Sequence, residues 1–132
     1  MTLTHINPAA LHKNPAFSQG VLATGGSLLV VGGQHGTDEQ GQLVSTDLGE
    51  QTKQALRNVL TVLADVGADA SHVARLGVYL AAGADAGAGY ASAFEVWGAN
   101  PAAVTVLIVH SFARPGVLVE IEALAVVPES AS

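Results

Sequence analysis

GVLVEIEALAVV, residues 116–127, is an apolar run with two glutamates, Glu120 and Glu122, in its middle. In an extended strand the side chains alternate. Val117, Val119, Ile121, Ala123 and Ala125 then line one face, and Leu118, Glu120, Glu122, Leu124 and Val126 line the other. The two carboxylates share a face, about 7 Å apart along the strand. A strand apolar on both sides has to be covered on both, except where its carboxylates meet water or line a site.

The neighbouring segments supply one of those covers. VTVLIVH (104–110) reads as a second strand, joined to the last by SFARP, and HVARLGVYLAA (72–82) reads as a third. GVLATGGSLLVVGGQ (20–34) has two short apolar runs around Gly25-Gly26, the pattern of a β-hairpin. HGTDEQGQLV follows as a polar loop, with a short strand expected at 42–44. The clearest helix is DLGEQTKQALRNVLTVLADVG (47–67). Asp47 and Glu50 have capping-box spacing, and Gly67 stands where a left-handed residue ends a helix. Its apolar stripe is Leu48, Ala55, Val59, Leu63 and Val66, flanked by Leu56 and Val62, with Gln51, Lys53, Arg57 and Asp65 outside it. A second helix is expected over about 86–97, where Tyr90, Ala93, Phe94 and Trp97 have helical spacing and read as core, despite Gly87 and Gly89. Residues 1–16, with Pro8, Asn14 and Pro15, read as an extended arm.

This order predicts an α+β fold: one mostly antiparallel, mixed sheet with hairpins at both ends and two helices on one face. No third layer remains for the other sheet face, so other subunits are expected to cover it. The 132 residues fit a single domain, 1–132. Only 12% of the residues are charged, which also favours an oligomer.

Composition removes several function classes. The net charge is −6 and the five cationic residues, Lys13, Lys53, Arg57, Arg75 and Arg114, form no stripe, so nucleic acid is not an expected partner. There is no cysteine, which excludes disulfides and thiol chemistry. The N-terminal stretch has no pattern of a targeting peptide and no apolar run reaches the roughly 18 residues of a membrane span, so a cytoplasmic protein away from membranes is expected. His35, His110 and Glu120 lack the spacing of a metal-ligand pair, and GGQHG lacks a phosphate-binding pattern; neither a metal nor a cofactor is expected.

Five stretches resemble the Rid (YjgF-like) family in the same order. They are AFSQGV (16–21), VVGGQHGTD (30–38), QTKQALRNVLTVLADVGA (51–68), RPGVLVEIEALAVVP (114–128) and, in part, NPAAVTV (100–106). The resemblance implies a chorismate-mutase-like fold and a homotrimer with small-molecule clefts between subunits. It also implies hydrolysis of reactive imino or enamino acids without cofactor. Glu120 takes the place of the glutamate that holds or activates water, Phe17 with Ser18 and Gln19 that of the cleft aromatic and its neighbours, and Gly33-Gln34 that of the contacting backbone.

Laying NPAAVTV on the family stretch without gaps puts Val104 at the substrate-clamping arginine, followed by Thr105, with Val106 at the backbone-contact position. Valine offers a carboxylate no donor, whereas a charge-assisted hydrogen bond contributes roughly 1.5–3 kcal/mol. An altered substrate is therefore expected, and Arg114, in the turn before the last strand, is not expected to replace the clamp. His110 is a candidate proton donor or polar anchor, and Glu122 is expected to meet solvent or an interface donor. The functional expectation is a Rid-like small-molecule-binding protein, with a deaminase-like hydrolase as its active form. The alternatives are a non-catalytic metabolite-sensing or protein-binding module and, less favoured, an endoribonuclease.

Overall fold

The computed structural model describes residues 2–129; the ends of the expected 1–132 domain, residue 1 and residues 130–132, lie outside the described residues. The elements are β1 (Thr2–Ile6), β2 (Gly20–Thr24), β3 (Ser27–Gln34), α1 (Leu48–Asp65), β4 (Val73–Ala81), α2 (Ala86–Trp97), β5 (Ala103–Val109) and β6 (Val119–Val127), with a 3-10 turn at Ala70–His72 before β4. Four strands form one mixed sheet in the order β3-β6-β4-β5, antiparallel except for the parallel pair β4-β5. Both helices lie on one face of it, as the sequence pattern predicts.

The two expected hairpins do not form. β2 pairs with β1 from Thr2↔Thr24 to Ile6↔Gly20, and β3 pairs with β6. Gly25 and Gly26, at φ 70° and 74°, turn the chain out of one ribbon and into the other sheet. At the other end β5 and β6 are separated by β4: α2 carries the chain from β4 to the parallel β5, and the 110–118 connection then takes it to the centre of the sheet. The strand expected at 42–44 is reduced to one bridge, Thr37↔Leu43.

Central position explains the composition of β6. Val119, Ile121, Ala123 and Ala125 are at most 1% exposed beneath the helices, and α1 lies across them with Ala55, Leu56, Val59 and Leu63 buried. Burying a Leu, Ile or Val fully is worth about 1.5–3 kcal/mol, so this seam carries much of the fold. Asp47 caps α1 by accepting from the Glu50 amide at 3.0 Å, and Gly67 closes it at φ 72°.

Three core expectations are corrected. Gln51, placed outside the apolar stripe by periodicity, is completely buried because it hydrogen-bonds three backbone groups on two segments, Ser45 and Gly116–Leu118; Val66 is 46% exposed because it is the C-cap of α1. Tyr90 and Phe94 are more than half exposed, and of the expected α2 aromatics only Trp97 is buried. The small side chains of α2 keep it packed on α1 and away from the sheet. On the opposite sheet face, Leu28 and Val30 of β3 and Leu107 of β5 are also at least half exposed.

Candidate functional site

The polar centre of the open sheet face lies where β3 ends beside β6. Pairing slips between Val31↔Ala123 and Gln34↔Ile121, so Gly32 and Gly33 form an irregularity with one residue more on β3 than on β6. A Cβ at Gly33 would stand 2.6 Å from Glu120 Oε2 and 2.7 Å from its carboxyl carbon. The missing side chain lets the Glu120 carboxylate lie over the β3 backbone. There Oε1 is 2.5 Å from Nε2 of His35, with the two side chains 33% and 24% exposed.

His35 is held from two sides. Asn58 of α1 donates from Nδ2 to the carbonyls of His35 and Thr37, both at 3.0 Å, and is itself oriented by Gln54. Phe112 sets its ring edge-on to the imidazole, with centroids 6.1 Å apart. The fully buried Gln51 fixes the approach to β6: its Nε2 donates to the carbonyls of Ser45 and Gly116, and its Oε1 accepts from the Leu118 amide, all at 2.9 Å. These contacts tie the loop after β3, the start of α1 and the entry to β6 together, two residues from Glu120.

Glu122 has a separate set of partners. Tyr79 of β4 donates its hydroxyl to Glu122 Oε1 at 2.5 Å, and Arg75 Nη1 lies 3.6 Å from the same oxygen. The hydrogen bond to the carboxylate pushes the Tyr79 phenol above its ordinary value, reinforced by desolvation. Tyr79 is directly opposite Glu120 in the strand register, so the open face carries two adjacent polar clusters, His35–Glu120 and Tyr79–Glu122–Arg75.

The other sequence candidates are dispersed. Val104 and Val106 point to the helix side of β5 and line a cleft under α2, away from Glu120, because strand alternation puts them on the opposite face. Thr105 shares the Glu120 face: it pairs with Gly77, which pairs with Glu122, and it is exposed. Gln34 turns its amide back to the Gly32 carbonyl at 3.1 Å. Ser18 is 2% exposed, donates to the Pro101 carbonyl at 2.5 Å and takes a hydrogen bond from His5 Nδ1 at 2.8 Å, so its hydroxyl pins the arm to the start of β5. Phe17 lies beside it, lining a cavity of about 360 Å³ with Lys13 and Pro101. His110 is exposed and its ring Nδ1 lies 3.0 Å from Ser111 Oγ. Arg114 donates to the Gly41 carbonyl at 2.6 Å and braces a loop.

Sequence reasoning left His35 and Tyr79 out of the site. His35 stands in the quoted GGQHG stretch, but only the irregularity in β3 brings it to Glu120; Tyr79 has no signal apart from its strand partner. Among the described residues no group of three His, Asp or Glu side chains is arranged to hold a metal ion, and no helix is long and apolar enough to cross a membrane.

The Endoribonuclease L-PSP family profile matches residues 7–127. Among solved structures, the chain is similar to the Yersinia pestis protein YyfB, a protein of unknown function of the conserved Rid family, at 33% identity and TM-score 0.86 over 96% of this chain and 100% of that one. It is also similar to YyfA of the same organism and family, at 25% identity and TM-score 0.69 over 96% and 100% of the two chains. Rv2704 of Mycobacterium tuberculosis, of the YjgF/YER057c/UK114 family, matches at 26% identity and TM-score 0.67 over 96% and 100%. No curated protein matches the chain.

Proposed function

Since the chain belongs to the Endoribonuclease L-PSP family, whose solved relatives carry the Rid and YjgF names, we propose that it binds a small molecule at Glu120 and acts on it as a cofactor-independent, deaminase-like hydrolase. The observation that carries this reading is the His35–Glu120 pair lying over the open backbone of Gly33. One carboxylate oxygen is engaged by imidazole, and the other is left to orient a water molecule. In the reaction we assign, Glu120 takes a proton from that water as its oxygen bonds to the carbon of a C=N group. The nitrogen is protonated in turn, and the carbinolamine collapses to a carbonyl compound and ammonia. His35 is hydrogen-bonded to the carboxylate throughout and offers a route for the proton.

The substrate class follows from what surrounds the pair. β5 has no cationic residue, and Arg75, on the same sheet face as Glu120, lies 3.6 Å from Glu122. A carboxylate next to the reacting carbon would therefore meet no free guanidinium, which favours an uncharged imine or carbonyl compound. Phe17 and Ser18 lie at the base of the arm, apart from Glu120. We assign them to a neighbouring subunit's cleft in a homotrimer whose contacts cover Leu28, Val30 and Leu107. The family name does not lead us to assign ribonuclease activity: the chain carries a net charge of −6, and Lys53, Arg75 and Arg114 each have an acidic or carbonyl partner.

Ammonia release tests the proposal. Freshly generated uncharged ketimine should be hydrolysed faster than 2-iminopropionate, and Glu120→Gln should abolish the difference from the uncatalysed rate. A Glu120→Gln variant as active as the parent would remove the assigned role. Saturable binding with no turnover would favour the metabolite-sensing reading, and a monomer by light scattering would rule out the intersubunit cleft.

A further inference from the structure

Where the backbone sets His35 decides whether its ring meets Glu120. Among the described residues the imidazole makes one hydrogen bond, from Nε2 to the carboxylate, and Phe112 touches it only ring edge to ring. Strand pairing with β6 stops one residue earlier, at Gln34↔Ile121, so residues 35–37 leave the sheet and their carbonyls need partners from elsewhere. The Gly36 carbonyl turns outward and accepts from the Val44 amide at 3.0 Å. The carbonyls on either side of it turn to α1. Gly36 itself lies against the helix backbone, where an added Cβ would be 2.6 Å from Gln51 Cα. Seven residues further along α1, about two turns, Asn58 donates to the carbonyls of His35 and Thr37, both at 3.0 Å.

A primary amide suits this task because its nitrogen carries two donors, one for each carbonyl. Its oxygen is engaged as well: Gln54, one turn earlier on α1, donates to Asn58 Oδ1 at 2.9 Å. A flipped amide would set Oδ1 against two carbonyl oxygens and Nδ2 against a donor, so Gln54 fixes which way Asn58 faces. Aspartate has the same shape and no donor, and serine is shorter and has one. We infer that Asn58 is a positioning residue for the hydrolysis: oriented by Gln54, it fixes residues 35–37 on α1 so that the imidazole stays on the Glu120 carboxylate. It touches neither the carboxylate nor a substrate, and acts only through the backbone of His35 and Thr37. This role rests on the reading of His35–Glu120 as the proton route. Acid–base groups contribute roughly 10²–10⁴-fold to a rate, and a misplacement of about 1 Å can cost 10²-fold, so a loosened 35–37 backbone is felt in the chemical step.

Two readouts test it, and one needs no turnover. In the resting full-length protein the ring ¹⁵N shifts of His35 report its contact with the carboxylate. Glu120→Gln should move them in the parent and leave them nearly unmoved in an Asn58→Ala background, where the ring has already left the carboxylate. In ammonia release from an uncharged ketimine, Asn58→Ala should lower kcat at least about tenfold and leave KM within about twofold, the pattern of a group that serves only the transition state. Asn58→Asp should lose more, and Asn58→Ser, the gentlest change to the fold, should fall between the parent and Asn58→Ala in both readouts. A folded Asn58 variant with the parent's kcat, or one in which Glu120→Gln shifts His35 as it does in the parent, overturns the inference while leaving the hydrolase reading in place. A parent that releases no ammonia overturns the hydrolase reading instead, and the His35 shifts then decide the positioning role alone.

Discussion

Replacing Gln51 by Met would test how the two loops and β6 are held in register. Its side chain is fully buried and makes three 2.9 Å hydrogen bonds, to the carbonyls of Ser45 and Gly116 and from the Leu118 amide. Methionine has about the same length and no strong hydrogen-bonding group, so little is lost in packing and all three contacts are lost. At about 1 kcal/mol each, with more if a backbone group stays buried and unpaired, the cost is about 3 kcal/mol. That is a large share of the 5–15 kcal/mol typical of a domain, and at roughly 3–5 °C per kcal/mol it lowers Tm by about 10–15 °C. The assay is urea and thermal unfolding at a fixed protein concentration, since assembly would shift both. Gln51→Glu provides a second reading. It keeps an acceptor for Leu118 but turns a carboxylate toward two carbonyls, so its folded-state pKa should rise, and its stability relative to the parent should improve as pH falls and worsen as pH rises. A Gln51→Met variant destabilised by less than about 1 kcal/mol would show that these backbone groups find other partners and would refute the reasoning.

Gly33→Ala should displace the Glu120 carboxylate, 2.6 Å from the new Cβ, while moving Tm little, because the end of a flexible side chain can yield. An unchanged His35 imidazole signal by NMR would contradict the close approach. Tyr79 donates to Glu122, and its raised pKa means that the contact stabilises the fold at neutral pH and is lost as pH climbs above the ordinary phenol value of about 10. Absorbance titration at alkaline pH should therefore show a late component that Tyr79→Phe removes and Glu122→Gln moves to lower pH; a component indifferent to Glu122 would refute the assignment. Ser18→Ala removes a buried hydroxyl with two partners and should cost about 1–3 kcal/mol by denaturant unfolding, a loss that would not appear if the arm were free of the β5 start.

Legibility differed from element to element for physical reasons. α1 was readable because a cap, a stripe and a terminating glycine are all local, and the buried face of β6 because alternation is local too. Strand partners were not: GVLATGGSLLVV has the composition of a hairpin, yet its halves pair with β1 and β6, partners that no local pattern specifies. Gln51 was misread because periodicity measures hydrophobicity, whereas its burial depends on three backbone groups, two of which arrive from the distant 116–118 segment. Val104 occupied the expected cleft only along the sequence; the β4-β5 register turns it to the helix side and leaves Thr105 on the face of Glu120.

The sequence by itself determined the class of fold, the position and ends of both helices and the two faces of β6, because each is carried by periodicity or caps within one segment. Only the tertiary structure decided the sheet order, the pairing of His35 with Glu120 and of Tyr79 with Glu122, and the separation of Val104 and Val106 from that face. Those depend on register and on the extra residue at Gly32-Gly33, where a shift of one position exchanges the faces of a strand.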